Sequence, residues 1–436
     1  MKKKISFLHS AFCILLIAGC DCADCTQNVV TLDSSQEIVF PPEGGDETIW
    51  VPSSCCWHVV SLPDWITVDP TKGCGPVSIN IIAEENDGSA RNGHLIMEAE
   101  GCGNFDLYVR QKGIPIVYVA GYENNATGYP VATLWKNGSK IALSDGTYFA
   151  RAHAVYVTPD GDEYVVGDAQ KGTSAGTAVL WKNGEMIELT DGARDAYTYS
   201  VYVTPDGKEY VTGWERDATG TPIALLWKDR SKIALSDGSA YTYASSIYVT
   251  PSGKEYVTGC RYSNTWIGVA ILWIDGVEME LTDGTYSAEA ISVYVTPDGT
   301  EYVAGYENNA MGHPVAILWK NGTKIKLSDG APFSQAYSVY VTPDGTEYVA
   351  GWDYGDAGHH LCALWKNGNK ITPSFHPKYS MGTSVCVTQD GTEYVSGWEG
   401  EEYLEPVAIL WKDGIRIELT DGKFQSMAYF VFVKED

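Results

Sequence analysis

Thirteen residues ahead of each of seven evenly spaced tryptophans, the chain carries Tyr122, Asp168, Trp214, Cys260, Tyr306, Trp352 and Trp398. Five of the seven are aromatic, and the Asp and Cys show that the position does not demand a ring. Flat aromatic faces beside carboxylates and amides suit sugars, which present apolar C–H faces and hydroxyl edges. The expected chemistry is therefore saccharide recognition, with Tyr122, Trp214, Tyr306, Trp352 and Trp398 as the ligand-binding set. The segments that follow each repeat add Tyr148, Phe149, Tyr197, Tyr199, Tyr241, Tyr243, Tyr286, Phe333, Tyr337 and Tyr379.

Catalysis would need converging acid, base or nucleophile groups. Arg151, Arg194, Arg216 and Arg261 fall in expected loops and keep an anionic ligand open. His359, His360 and His376 could meet a metal, but nothing fixes them at ligand spacing, and solvated loop residues are the plainer reading. The spacing of Cys55, Cys56, Cys74 and Cys102 matches no zinc pattern, so one or two disulfides of open pairing are expected there. Cys260, Cys362 and Cys386 stand at repeat positions and read as small hydrophobes. No catalytic residue, metal or cofactor is assigned, and the expectation is a binding protein rather than an enzyme.

The elements that must position these groups follow from the period. Trp135, Trp181, Trp227, Trp273, Trp319, Trp365 and Trp411 stand 46 residues apart without slippage, the mark of one supersecondary unit copied in tandem. Residues 292–330 give the clearest copy: Ser-Val-Tyr-Val-Thr, a Pro297-Asp298-Gly299 turn, Glu-Tyr-Val-Ala-Gly, then Pro-Val-Ala-Ile-Leu-Trp-Lys, an Asn321-Gly322 turn and Lys-Ile-Lys-Leu. Short β-branched and aromatic runs between turn residues are strands, and four per period match a β-propeller blade. Asn-Gly and Asp-Gly pairs set tight hairpins, with Asp229-Arg230 as the exception.

The Tyr-Val-x-Gly run occurs seven times, but the Val-Tyr-Val run is missing before residue 118 and reappears at the C-terminus as Phe430-Val431-Phe432-Val433. The expected fold is therefore all-β, with a seven-bladed ring closed by its C-terminal strand, which removes the open edges. The longer, more variable connections then share one face. The repeat tryptophans read as packing between blades, and the aromatic rings named above could instead plug the channel mouth and blade tops.

At the N-terminus, Lys2, Lys3 and Lys4 precede an apolar stretch from Phe12 to Ala18 that is too short to span a bilayer, the profile of a cleaved signal. Ile17-Ala18-Gly19-Cys20 resembles the lipobox of bacterial lipoproteins. By that resemblance residues 1–19 are lost, Cys20 carries the lipid and residues 20–27 form a tether. Asp21 and Asp24 resemble the surface-export signal of Bacteroidetes lipoproteins, which implies an outer-membrane lipoprotein exposed at the cell surface, with a periplasm-facing one as the alternative. Loss of the signal lysines would take the net charge from −26 to −29. Such a field repels phosphate backbones and excludes nucleic acid as a partner, and the membrane would be met only through the lipid.

Residues 28–113 lie outside the repeat and alternate apolar and polar residues over Glu37 to Phe40, Thr48 to Val51, Val77 to Ile82, His94 to Met97 and Asp106 to Gln111, as in a small Ig-like β-sandwich. Pro63-Asp64-Trp65-Ile66-Thr67-Val68, Asn86, Arg91 before Gly93, and Val109-Arg110-Gln111-Lys112-Gly113 resemble the BACON domain, a Bacteroidetes module found N-terminal in carbohydrate-active proteins. Trp65 reads as core, and the domain as a stalk at least as readily as a ligand site. Residues 114–436 form the ring, and its Ala-x-Leu-Trp and Asn-Gly pattern is similar to the HAF-type extracellular repeats. Sialidase propellers carry Ser-x-Asp-x-Gly-x-Thr-Trp boxes, and this chain has none. The expected function is a lipid-anchored, non-catalytic envelope protein whose propeller face meets a glycan. The alternatives are a protein-interaction or adhesion scaffold, or an enzyme acting on carbohydrate.

Overall fold

The structure is a computed structural model and describes residues 37–435 apart from 52, 54, 100–102, 173–174, 329–332, 356–357, 372–378 and 402–404. The expected signal 1–19, Cys20 and the tether 20–27 lie outside the described residues, as do Cys102, Asp329, Phe375 and His376. The chain divides into two compact units, one ending at Ile114 and one spanning Pro115–Glu435.

The second unit is a seven-bladed β-propeller. Six sheets each take four consecutive strands in meander order, such as Phe149–Val157, Glu163–Gln170, Thr177–Lys182 and Glu185–Glu188. We number blades by their tryptophan, so this sheet, with Trp181, is blade 2. Blade 1 combines Ile116–Asn124, Pro130–Lys136 and Ser139–Ala142 with Ser426–Lys434 from the other end of the ring. Phe430 pairs with Ala120, Val431 with Val119 and Phe432 with Tyr118, so both termini share one sheet and no edge stays open around the circle.

Each first strand touches the first strands of both neighbouring blades, and Ser426–Lys434 completes the cycle against Phe149–Val157. First strands therefore line the axis. Fourth strands form the rim, and Ser139–Ala142 and Thr323–Lys326 are exposed at every residue. The second and third strands between them are covered on both faces, which is why they read as unbroken apolar runs. All seven repeat tryptophans are buried. Trp181 packs with Tyr118, Ala120 and Leu134 of blade 1, and Trp135 with Tyr394 and Leu410 of blade 7. At the lower face Lys136 reaches Glu163 of the next blade at 2.9 Å, a pair repeated as Lys320 with Glu347 and Lys366 with Glu393 at 2.9 Å.

The turns behave as their residues require. Asn137 and Gly138 take φ of 47° and 75°, the paired left-handed values of a type I′ hairpin. Asp229 and Arg230 hold the same turn at 46° and 68° without a glycine. Arg230 gains a partner there, its Nε lying 3.1 Å from Glu209 Oε2.

The N-terminal unit is a sandwich of a five-stranded and a three-stranded sheet. The larger takes Glu37–Phe40, Gly103–Gln111, Arg91–Ala99, Cys56–Ser61 and Lys72–Cys74, and the smaller takes Gly45–Val51, Val77–Ala83 and Ile66–Asp69. Phe40, Val51, Trp57, Trp65, Ile79 and Leu95 meet in its core. Cys56 is bonded to Cys74, and Cys55 is also disulfide-bonded. Gln111 Nε2 donates to the carbonyls of Pro41 at 3.0 Å and Glu84 at 2.7 Å, while Asn86 Nδ2 donates to those of Ser89 at 2.8 Å and Lys112 at 3.0 Å. These polar residues hold loops together, satisfying backbone groups the short strands leave open.

Candidate functional site

Every first strand carries a bulge, where the strand register skips His153, Tyr199, Ser245, Ile291, Tyr337, Thr383 and Tyr429. The glycine of each Tyr-Val-x-Gly run makes the bulge possible. A Cβ on Gly167 would lie 1.9 Å from the Arg151 carbonyl, and one on Gly305 would lie 2.0 Å from that of Glu289. A bulge adds a residue on one strand and re-aims its neighbours. Here it keeps three tiers of side chains facing the axis.

The upper tier holds Arg151, Tyr197, Tyr243, Glu289, Gln335, Met381 and Met427, of which Tyr197, Glu289, Gln335, Met381 and Met427 lie one strand inward of the expected binding set, while Arg151 and Tyr243 lie inward of Asp168 and Cys260. The middle tier is the bulge residues, where the His153 ring lies 5.6 Å from Tyr199 and 5.5 Å from Tyr429. The lower tier is a collar of Tyr156, Tyr202, Tyr248, Tyr294, Tyr340, Cys386 and Phe432, with neighbouring aromatic centroids 5.1 to 5.7 Å apart. Burial pushes the Tyr294 hydroxyl up to about 12 and that of Tyr199 to about 12.

This arrangement changes the role of the expected ligand set. Tyr122, Trp214, Trp352 and Trp398 are buried and Tyr306 is half-buried. Trp214 lies under Tyr197 at 4.9 Å and donates Nε1–H to the Tyr199 hydroxyl at 3.0 Å. Trp352 is covered by the His360 ring at 3.9 Å, and its Nε1 lies 3.3 Å from both Gln335 Oε1 and the Tyr337 hydroxyl. These rings support the residues around the mouth, because the first strand stands between them and the axis. Phe149, Tyr197, Tyr199, Tyr243, Tyr337 and Tyr379, expected in loops, are strand residues.

The charged groups of the mouth separate into two sectors. In blade 4 and blade 5, Glu289 accepts a hydrogen bond from the Tyr262 hydroxyl at 2.8 Å, and burial together with the Glu289 charge pushes the Tyr262, Tyr243 and Tyr306 hydroxyls up. In blade 2, Asp168 is 2% exposed. His153 donates from Nδ1 to the Thr198 carbonyl at 2.7 Å, which turns Nε2 to 3.0 Å from Asp168 Oδ1. That contact lacks hydrogen-bond geometry, and Oδ1 remains without a hydrogen-bond partner. Of the four arginines, Arg216 pairs with Asp195 at 3.1 Å, and Arg261 pairs with Glu278 at 3.1 Å and also with Glu280. Arg194 is exposed. Arg151, which like Arg216 and Arg261 lies on a strand rather than in the expected loop, rests on the Phe149 and Tyr122 rings at 4.4 and 5.2 Å.

No protein-family model matches the sequence, and no curated protein is similar to it. Among solved structures, a Bacteroides ovatus GH5 xyloglucanase is 26% identical over 17% of this chain and 16% of its own, with a TM-score of 0.17. A puromycin-hydrolyzing peptidase of Mycobacterium tuberculosis is 12% identical over 70% and 53%, with a TM-score of 0.47. The β-propeller domain of the Trilobed protease from Pyrococcus furiosus is 11% identical over 78% and 96%, with a TM-score of 0.44. The chain spans about half of the peptidase and less than a fifth of the xyloglucanase, and none of these likenesses bears on function.

One residue of the upper rim was not singled out by sequence reasoning. Trp266 is 71% exposed, beside Tyr241 and Tyr262 at 6.1 Å each. It stands one or more periods from Gly128, Gly220, Gly312 and Gly358, whose φ values run from 80° to 88°, and it adopts φ of 61° itself. That alignment was available in the sequence, as a bulky ring where the repeat uses glycine. In blade 6, burial of His360 lowers its pKa, with the neighbouring His359 adding to the effect. His359 lies edge-on to Tyr379 at 4.7 Å. Both histidines take part in the aromatic packing of that blade top.

Proposed function

We propose that the ring is a non-catalytic module that binds a glycan on its upper mouth, in a chain tethered to the cell envelope by a lipid on Cys20. The observation that carries this reading is Trp266. A bulky residue in the left-handed region costs about 1 to 3 kcal/mol, and a side chain 71% exposed recovers little of that by burial. Backbone strain kept for an exposed indole is explained by a ligand that stacks on it. Tyr241 and Tyr262 flank the indole, and the Tyr262 hydroxyl and Glu289 add polar groups beside it. Apolar faces next to fixed hydrogen-bonding groups match the two surfaces of a sugar ring. The lipobox-like Ile17-Ala18-Gly19-Cys20 supports the anchor.

Affinity electrophoresis through gels containing different polysaccharides tests this reading with the full chain and its Trp266→Ala variant. Retardation that the substitution removes supports it. Equal retardation of both chains would move glycan binding away from Trp266, and none in any polysaccharide alongside capture of an envelope protein points instead to a protein-docking scaffold. Labelling with radioactive palmitate should be lost in Cys20→Ser.

A further inference from the structure

We infer that the blade 2 sector of the mouth is a subsite for an acidic sugar, which narrows the glycan reading above and rests on it. Arg151 is the one cation among the upper-tier residues. Its Nε is buried without a hydrogen-bond partner, and its guanidinium lies against aromatic rings. Directly across the ladder, Asp168 pairs in register with Arg151 and is 2% exposed, and its Oδ1 has the His153 Nε2 contact at 3.0 Å but no hydrogen bond. A buried polar atom left unsatisfied costs free energy that folding alone does not recover, and here a donor and an acceptor are left so on neighbouring strands.

A carboxylate with a hydroxyl beside it satisfies both. The carboxylate accepts from the Arg151 guanidinium, a charge-assisted geometry that arginine favours, and the hydroxyl donates to Asp168. Uronic and nonulosonic acids carry that pair of groups on a ring whose apolar face can lie on Tyr197 or Phe149. Glu289, on the far side of the ring, excludes a second anion from its own sector. Across a surface of net charge −26, an acidic ligand is held only where a cation is free to meet it.

The test is calorimetric titration of the full chain with oligogalacturonate, with its fully methyl-esterified form, and with glucuronate and N-acetylneuraminate. At least one free acid should bind ten-fold or more tightly than the uncharged ester. Arg151→Gln should remove that preference, with an unchanged cooperative melting transition reporting that the variant is folded. Arg151→Lys should keep part of the preference. Binding of neutral glycan with no gain for any acid, or an acid preference that survives Arg151→Gln, overturns the subsite and leaves the glycan reading standing. Failure of acidic and neutral probes alike removes both.

Discussion

Arg261 reaches Glu278 at 3.1 Å, and the pair occupies the positions that Glu215 and Lys232 hold one blade earlier with the charges exchanged. The same contact joins Glu123 to Lys140, Glu307 to Lys324, Glu399 to Arg416 and, at 2.8 Å, Asp353 to Lys370. Blade 2 has Ala169 and Met186 there. What is preserved from blade to blade is complementarity of the pair rather than the identity of either residue. Glu215→Lys or Lys232→Glu alone should therefore lower stability by about 0.5 to 1 kcal/mol, and the double exchange should restore it to within about 0.3 kcal/mol. Urea midpoints of the four chains measure this, and additive losses in the double variant would show that the two side chains do not interact.

Closure depends on Ser426–Lys434 pairing with Ile116–Asn124. Removing residues 428–436 would strip blade 1 of its axial strand and expose the apolar face that holds Trp135 and Val119. The truncated chain should aggregate or melt without cooperativity, as checked by size-exclusion chromatography and calorimetry. A soluble chain with a sharp transition near that of the full protein would contradict ring closure as the source of stability.

The sequence made the blades readable because their signals are local. The Pro-Asp-Gly and Asn-Gly turns fix backbone angles within two or three residues, and the covered strands are apolar on both faces. The bulge was not readable, because it depends on contact between two strands. The glycine of Tyr-Val-x-Gly marks it only once the Arg151 carbonyl is seen pressing on Gly167. That bulge decides which tier faces the axis, so Trp214 and Trp352 looked like ligand platforms when they are supports for Tyr197 and His360. In the N-terminal unit, Cys56–Ser61, Ile66–Asp69 and Lys72–Cys74 were missed for a related reason. They are short, and Lys72–Cys74 pairs with Cys56–Ser61 where the Cys56–Cys74 disulfide joins them.

The tyrosine collar sets an alkaline limit. Burial raises the folded-state pKa of Tyr294 to about 12, and it also raises those of Tyr156, Tyr202, Tyr248 and Tyr340. The unfolded value is about 10. Above that pH the unfolded chain gives up phenolic protons that the folded chain retains, so the contribution is whole below pH 10 and is lost as pH rises toward the folded values. Melting temperatures should hold between about pH 8 and 9.5 and then fall. Phe432 shows that the collar accepts phenylalanine, so Tyr248→Phe with Tyr294→Phe should flatten the fall. An unchanged slope in that double variant would place the alkaline loss elsewhere, in the lysines of the lower face for example.

Trp266 offers the sharpest separation of stability from binding. Its loop is the one used in blades 1, 3 and 5. Ser263 Oγ accepts from the Ile267 amide at 3.1 Å, as Asn125 does from Tyr129 at 3.0 Å and Asp217 from Thr221 at 2.9 Å. The loop therefore asks for glycine at 266, and the indole is held against that preference. Trp266→Gly should relieve the left-handed strain, offset in part by greater freedom of the unfolded chain, for a net gain of about 1 kcal/mol. The same substitution should abolish retention by polysaccharide. A variant that is both less stable and unable to bind would mean the indole is held by packing on Tyr241 and Tyr262, and the strain would then no longer argue for a ligand.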